Sequence, residues 1–206
     1  MNGLIPKEVH MNTYVYKAYG NLYINLTNKC SNSCDFCIRN GHDGIENQPL
    51  WLEKEPTAED VIRDIPEDLS PYKSVVFCGF GEPTERLDVM LEVAKYLKGR
   101  GAVTRLNTNG QSDRINGKPT APLMKGLIDY INVSLNASTK EKYQAICHSV
   151  FGEEAFDIML AFAVSAKENG IKVNFSVVDV IGKEEIEACR KLCDGLGIPL
   201  RVREFE

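Results

Sequence analysis

The sequence lacks any apolar run long enough to cross a membrane, and its N-terminus, MNGLIPKEVHMNTYVYK, lacks the apolar core of a signal peptide. These absences predict a cytoplasmic protein that is neither membrane-spanning nor secreted. The sequence also lacks a basic surplus, because 24 Lys and Arg stand against 29 Asp and Glu, for a net charge of −5. Dedicated nucleic-acid-binding proteins normally carry such a surplus, so that class is not favoured.

Internal repeats, low-complexity tracts and Pro/Gly/Ser linkers are absent as well. We therefore expect residues 1–206 to form one domain, in which residues 1–19 are an N-terminal extension. Hydrophobic residues make up 43% of the chain and charged residues 26%, which is typical of globular proteins. A chain of this length buries enough surface to fold without disulfide bonds.

Short apolar runs alternate with helical patterns along the chain. Six runs rich in β-branched and aromatic residues predict strands over 22–26, 74–78, 103–107, 130–136, 172–178 and 199–203. Residues 13–17 predict a further strand before them. Helices are predicted from Thr57 to Pro66, over 87–99 with Gly99 as a left-handed cap, and over 153–169 and 183–196. This alternation predicts βαβ units and a parallel sheet.

The predicted strands alternate polar and apolar residues, although buried parallel strands usually read as continuous apolar runs. On the fourth core strand, Ser134 and Asn136 fall on one face and Val133 and Leu135 on the other. The same period places Arg105, Asn107, Asn174, Ser176, Arg201 and Arg203 on the polar face. An antiparallel sheet with one wet face is the simpler explanation, but the intervening helices argue against it. We therefore predict a polar, ligand-filled lumen in which paired arginines would suit a carboxylate or phosphate.

Three of the seven cysteines stand together as Cys30-x₃-Cys34-x₂-Cys37, directly after a predicted strand. A cluster of this kind in a chain without a leader predicts a metal or catalytic site. One alternative is zinc bound by these three cysteines and His42. The other is a [4Fe–4S] cube with three cysteine ligands, whose fourth iron stays open to a substrate or cofactor.

Three motifs in this chain resemble signatures of the radical S-adenosylmethionine (SAM) superfamily. They are the cysteine loop with Phe36 before its last cysteine, the run Gly79-Phe80-Gly81-Glu82-Pro83, and the turn Asn107-Thr108-Asn109-Gly110. The phrases LYINLTNKCSNSCDFCIRN and CGFGEPTERLD look most like the small TatD-associated radical SAM proteins. The resemblance implies an α/β fold, a partial (β/α)₆ TIM-like barrel with a parallel sheet and a short N-terminal β extension.

The resemblance also implies a set of site residues. The cluster ligands would be Cys30, Cys34 and Cys37, and SAM would chelate the open iron. The expected SAM contacts are Phe36, Gly79, Gly81, Glu82, Pro83, Asn107, Thr108, Ser134, Asn136 and Ser176. Phe80 departs from the family pattern, which often has glycine there, and its ring narrows the pocket unless it faces the core.

The activity implied by the resemblance is reductive cleavage of SAM, giving a 5′-deoxyadenosyl radical that abstracts hydrogen from a substrate. A flavodoxin or ferredoxin is the implied reductant. The substrate stays open, and a partner protein or peptide could close the barrel. Alternatives within this chemistry are a glycyl-radical-enzyme activase and a 7-carboxy-7-deazaguanine-synthase-like enzyme. The alternative of another class is a zinc-binding interaction module.

The remaining cysteines are interpreted without a cofactor. Cys189 and Cys193 share an apolar helical stripe with Ile186 and Leu196, which predicts that they belong to the core. Cys78 closes an apolar strand, and Cys147 is expected in a loop beside His148.

Overall fold

The computed structural model of the chain describes residues 12–205 and contains a seven-stranded sheet. Its strands are β1 (Val15–Ala18), β2 (Asn21–Ile24), β5 (Val75–Phe77), β6 (Thr104–Thr108), β7 (Tyr130–Ser134), β8 (Lys172–Val178) and β9 (Leu200–Arg203). A separate two-stranded ribbon is formed by β3 (Gly44–Ile45) and β4 (Gln48–Pro49). Of the predicted N-terminal extension, residues 1–11 lie outside the described residues.

The sheet has the order β1-β2-β5-β6-β7-β8-β9. The first strand pairs antiparallel with β2, and the following pairs are parallel. Six parallel strands in chain order, joined by helical crossovers, confirm the predicted partial barrel. The predicted N-terminal strand is confirmed as β1, shifted by one or two residues.

Seven helices occur among the described residues. They are α1 (Ala58–Asp64), α2 (Leu87–Gly99), α3 (Ser112–Asn116), α4 (Ala121–Met124), α5 (Lys140–Cys147), α6 (Glu154–Glu168) and α7 (Lys183–Leu196). The capping box of α1 is confirmed, because the Thr57 hydroxyl accepts from the Asp60 amide at 3.2 Å and the Asp60 carboxylate accepts from the Thr57 amide at 3.2 Å. Gly99 is not the left-handed cap of α2; the positive φ, +73°, falls at Gly101. The short helices α3, α4 and α5 were not predicted.

The main hydrophobic core lies between the outer face of the sheet and the helices. Val133 and Leu135 are both fully buried in it, so the outward half of the predicted alternation is confirmed. Cys189 and Cys193 are buried in the same cluster, as predicted for core cysteines. The helices therefore cover one face of the parallel sheet and leave its concave face for other contacts.

The concave face is divided into an apolar and a polar half. On its β1, β2 and β5 side a second core cluster is formed by Tyr16, Ala18, Tyr23, Leu50, Val76 and Phe80. Phe80 is buried there, and its ring centroid lies 5.0 Å from that of Trp51 in an edge-to-face contact. The predicted polar lumen is thus confined to β6, β7, β8 and β9. A search of residues 12–205 for a helix able to span a membrane finds none.

We predict that Leu135→Ala lowers the free energy of unfolding by about 2–5 kcal/mol, because it leaves a cavity in a fully buried position. Urea denaturation followed by circular dichroism measures this change. The matched control is Leu123→Ala in α4, where the side chain is 42% exposed and the loss should be small. Equal destabilisation by both substitutions would contradict the placement of Leu135.

Candidate active site

The cysteine loop follows β2, at the carboxyl end of the parallel strands, where ligands of barrel and open-sheet proteins bind. Cys30, Cys34 and Cys37 lie within this single loop and are all partly exposed. The backbone amide of Asn32 donates to Cys30 Sγ at 3.4 Å. The three predicted ligands therefore share one loop at the carboxyl end of the sheet.

Helix α5 holds the cysteine loop from one side. The amide of Ser33 donates to the carbonyl of Cys147 at 2.9 Å, and the amide of Asp35 donates to the carbonyl of Ile146 at 3.0 Å. These carbonyls belong to the last turn of α5, where a helix leaves carbonyls without internal partners. Cys147 is thus the buried last residue of a helix, and its expected place in a loop was wrong.

Arg39 holds the loop from the other side. Its guanidinium donates to the carbonyls of Asn28 at 3.2 Å, Asn32 at 3.1 Å and Phe80 at 3.5 Å. One side chain therefore connects both ends of the loop segment 28–32 with the second signature motif. Sequence reasoning missed Arg39, and its only signal was a basic residue two positions after Cys37.

A buried polar network lies beneath the loop and centres on Gln111, which is fully buried. Gln111 Oε1 accepts from the Ser31 hydroxyl at 2.8 Å, and Nε2 donates to Asn32 Oδ1 at 2.8 Å. Nε2 also donates to the Tyr143 hydroxyl at 3.0 Å, which accepts from Asn32 as well. Because unpaired groups at this depth would be costly, the network fixes the loop in one arrangement. Gln111 and Tyr143 were not predicted.

Glu82 joins the second and third signature motifs. Its carboxylate is buried and accepts four hydrogen bonds, from the Thr84 amide at 3.1 Å, the Thr84 hydroxyl at 2.8 Å, the Thr108 hydroxyl at 2.8 Å and the Asn109 amide at 2.7 Å. Burial raises the pKa of Glu82, and these donors oppose that rise. Glu82 therefore orients the turn between the two motifs. Pro83 opens the short turn Pro83–Arg86 that follows.

Gly79 and Gly81 leave room for neighbouring protein atoms. A Cβ at Gly79 would lie 2.1 Å from Asn25 Oδ1, and one at Gly81 would lie 2.4 Å from the Thr27 carbonyl oxygen and 2.5 Å from that of Lys29. The Glu82 amide donates to the Lys29 carbonyl at 2.7 Å in the same contact. The two glycines thus let the second motif approach the chain just before Cys30.

Asn107 and Thr108 lie on opposite faces of β6. Asn107 faces the lumen, where its side chain opposes the rise that burial causes in the pKa of Cys78. Thr108 is buried on the other face and donates to Glu82. The side chain of Thr108 therefore points away from the lumen, because adjacent strand residues point to opposite sides, and its contact with SAM stays a prediction.

Ser134 and Ser176 lie opposite each other in the register of β7 and β8, on the lumen face. Ser176 is fully buried and its hydroxyl accepts from Asn132 Nδ2 at 3.0 Å. Asn136 does not continue this face as a strand residue, because β7 ends at Ser134 and Asn136 has φ +59°. Its Nδ2 donates to Cys147 Sγ at 3.5 Å, and its buried Oδ1 has no hydrogen-bond partner.

A family model described as the Radical SAM superfamily matches residues 24–194, which is most of the chain. The chain belongs to this superfamily. The match includes the cysteine loop, the Gly79–Pro83 motif and the Asn107–Gly110 turn, so the resemblance seen in these motifs is confirmed. Radical SAM proteins use a [4Fe–4S] cluster and SAM, and they generally need an electron donor.

Two relatives and one solved structure illustrate the similarity. A candidate glycyl-radical enzyme activating enzyme of Methanocaldococcus jannaschii is 26% identical over 212 residues, covering 100% of this chain and 81% of the relative. A candidate GTP 3′,8-cyclase of Thermococcus kodakarensis is 32% identical over 90% of this chain, which spans only 57% of that relative. Streptococcus suis SuiB bound to S-adenosylmethionine has a TM-score of 0.66 and 19% identity, over 89% of this chain and 38% of SuiB.

The radical SAM cofactors fit the residues present. Three thiols on one partly exposed loop form the soft donor set that iron–sulfur clusters take, and the unpaired Asn136 Oδ1 is a buried acceptor at the same end of the barrel. Within residues 12–205, no three Cys, His, Asp or Glu side chains are gathered tightly enough to ligate one metal ion.

Two thiols of the loop have pKa values above the usual range of cysteine. Burial, followed by the Glu82 charge, raises the pKa of Cys30 to about 12. A hydrogen bond with Cys147 and burial raise the pKa of Cys34. Because metal ligands are thiolates, a cluster held by Cys30 and Cys34 would displace these protons and the Cys34–Cys147 contact.

A cavity of about 660 Å³ opens beside Asn136 in this radical SAM core, between α5 and the start of α7. It is lined on one side by Asn136 and Ile146 and on the other by Val180, Ile181 and Gly182. The Glu185 carboxylate fixes this wall, since it accepts from the Ser138 amide at 2.6 Å and pairs with Lys142. Sequence reasoning missed the segment 180–185. Phe36 lies partly exposed in the cysteine loop.

We predict that Glu82→Gln lowers the free energy of unfolding by about 1.5–3 kcal/mol, because a charged acceptor is lost and the amide NH₂ of Gln faces donors. Chemical denaturation of the metal-free protein measures the loss. The matched control is Glu85→Gln, a half-buried neighbour in the same turn. If Glu82→Gln were as stable as Glu85→Gln, the carboxylate would not be what holds the two motifs together.

Proposed function

We propose that this chain is a radical SAM enzyme that cleaves SAM reductively and transfers the resulting radical character to a substrate held in the lumen. The observation that supports this most directly is the cysteine loop itself. Three partly exposed thiols stand at the carboxyl end of the barrel, and buried hydrogen bonds fix the loop that carries them. This is the preorganised arrangement that a reactive cofactor needs.

Cys30, Cys34 and Cys37 would hold the [4Fe–4S] cluster. When bound, this cluster supplies the electron that cleaves SAM into methionine and a 5′-deoxyadenosyl radical, which abstracts a hydrogen atom. The loop positions the thiolates, and α5 covers one side of the site. The apolar cluster around Phe80 fills the β1–β2–β5 side of the lumen, so water is excluded there.

Polar residues of the lumen and the ring of Phe36 are the proposed contacts of SAM. Asn107, Ser134 and Ser176 face the lumen, and the buried Asn136 Oδ1 lacks a partner that a ligand hydroxyl or ammonium would supply. Phe36 stands beside Cys37, where its ring suits an adenine. Five further residues support SAM binding indirectly, because their contacts shape the turns beside the site. They are Gly79, Gly81, Glu82, Pro83 and Thr108.

The reductant, location and substrate are further proposals. A flavodoxin or ferredoxin would donate the electron, in the cytoplasm, and the TatD-associated group is the proposed subfamily. Glycyl-radical-enzyme activation is supported by the relative of which this chain covers 81%. This chain spans 57% of the GTP 3′,8-cyclase relative. GTP 3′,8-cyclase activity would therefore need segments of that relative that lie outside the match. The 7-carboxy-7-deazaguanine-synthase alternative has no such support.

We predict that the anaerobically reconstituted protein forms 5′-deoxyadenosine from SAM when dithionite is added, as measured by liquid chromatography. Replacing Cys30, Cys34 and Cys37 with Ala should abolish the product, the bound iron and sulfide, and the broad visible absorbance of the cluster. The matched control is Cys189→Ala with Cys193→Ala, which removes two buried core thiols. If this control loses half its iron, the single-cluster proposal is wrong.

We predict that Asn136→Gly weakens SAM binding by about threefold to tenfold, because losing one hydrogen bond costs about 0.5–1.5 kcal/mol. Glycine keeps the left-handed backbone of residue 136 while removing the amide. Equilibrium dialysis with the reconstituted protein measures SAM affinity. Asn169→Gly at the end of α6 is the matched control and should bind SAM normally. Unchanged SAM affinity in Asn136→Gly would remove Asn136 from the SAM site.

A further inference from the structure

Three arginines share the lumen face on the polar side of the barrel. Arg105 lies opposite Val76 of the concave apolar cluster in the register of β5 and β6. Arg201 lies opposite Ser176, whose hydroxyl faces the lumen, and Arg203 follows two residues later on the same face of β9. Leu200 packs against the outer core instead, which fixes the alternation of β9.

The charges of these arginines act on the same two lumen groups. Burial raises the pKa of Tyr23, and Arg105 and Arg201 act in the opposite direction. Arg203 and Arg105 likewise lower the pKa of Cys78, which burial raises. Arginines from β6 and β9 are thus near enough to Tyr23 and Cys78 to form one positive region across the lumen.

Within residues 12–205, none of the three arginines forms an ion pair, and Arg105 Nε is buried without a hydrogen-bond partner. The carboxylate that acts on Cys78 is Glu82, whose oxygens already accept four hydrogen bonds. An unsatisfied buried guanidinium atom calls for an anionic acceptor from outside the protein.

Neutral donors continue the region toward the cysteine loop. Asn107, Asn132 and Asn174 are register neighbours on β6, β7 and β8, and Asn132 accepts from the Asn174 amide. This amide row lies one layer nearer to the carboxyl ends of the strands than Arg105. The row offers the uncharged hydrogen bonds that fix the orientation of a polar ligand.

We propose that Arg105, Arg201 and Arg203 bind an anionic group of the enzyme's substrate, a phosphate or a carboxylate, in the lumen. The proposal rests on the proposed function, because it places the substrate in the same barrel as SAM. Arginine matches both groups with paired N–H donors and stays charged at all working pH values.

The test titrates inorganic phosphate, pyrophosphate and malonate separately into the anaerobically reconstituted full chain, with SAM present, by isothermal calorimetry. We expect at least one of these anions to bind with a Kd of about 1 mM or below, and more weakly as KCl is added. Tighter binding of the two phosphates indicates a phosphate-bearing substrate, and tighter binding of malonate indicates a carboxylate. Either result supports the site.

Variants assign the binding to these residues. The double variant Arg201→Gln with Arg203→Gln should lower the affinity for the anion by about tenfold or more. Arg105→Gln should have the same effect if the variant folds. The exposed pair on β9 keeps the test valid where the partly buried Arg105 variant does not fold. The matched control is Arg190→Gln on α7, an exposed arginine paired with Glu187 at 3.4 Å, which should bind the anion normally.

Three results would overturn the proposal. The first is that none of the three anions binds. The second is that Arg190→Gln weakens anion binding as much as the β9 double variant does. The third is that the β9 double variant loses SAM affinity as much as anion affinity, which would assign the arginines to SAM. Calorimetry with these anions does not depend on SAM cleavage. A protein that binds pyrophosphate without forming 5′-deoxyadenosine would therefore refute the proposed function separately from this site.

Discussion

A buried carboxylate connects the signature motifs of this protein. Glu82 follows β5, and its carboxylate accepts hydrogen bonds from Thr108 and Asn109 at the end of β6. It therefore holds the carboxyl ends of two neighbouring strands together. Burying an ionised group is favourable only when donors surround it, and four donors do so here. The Glu82 amide in turn binds the Lys29 carbonyl, which extends the same constraint to the residue before Cys30.

The cysteine loop is held beneath by Gln111 and at its sides by Arg39 and the end of α5. Gln111 follows the Asn107–Gly110 turn directly, so whatever positions that turn also positions the buried amide that binds Ser31 and Asn32. Arg39 and the end of α5 complete the enclosure. A radical SAM loop must hold three thiolates without a rigid element of its own, and here the surrounding polar network supplies that rigidity.

The division of the concave face gives the barrel its second functional property. Aromatic and aliphatic side chains fill the β1–β2–β5 side, where Tyr16 and Tyr23 stack with centroids 5.1 Å apart. The β6–β9 side carries amides, hydroxyls and guanidinium groups instead. One half of the lumen is thus closed by packing and the other is available to polar ligands, as expected of a site that combines an apolar wall with a few placed polar groups.

Much of the fold could be predicted because strong local signals agree with the final structure. The strand runs, the Thr57–Asp60 capping box and the long periodic helices α2, α6 and α7 needed no tertiary information. The misses have local causes. Helices α3, α4 and α5 are short, and their stability comes from packing more than from periodicity. Asn136 does not continue the strand, because its backbone is left-handed. Asparagine tolerates this conformation, but nothing in the sequence predicts it.

The sequence by itself determined the superfamily and the parallel strand order, and it predicts the three cluster cysteines, since spacing along the chain carries each of these. The tertiary structure alone decided which polar residues meet. Thr108 and Asn107 are neighbours in sequence and lie on opposite faces, whereas Ser31 and Gln111 are 80 positions apart and share a hydrogen bond. Local spacing reports which residue types are present, but contacts across the sheet are set by strand register and by the cost of leaving buried polar groups unpaired.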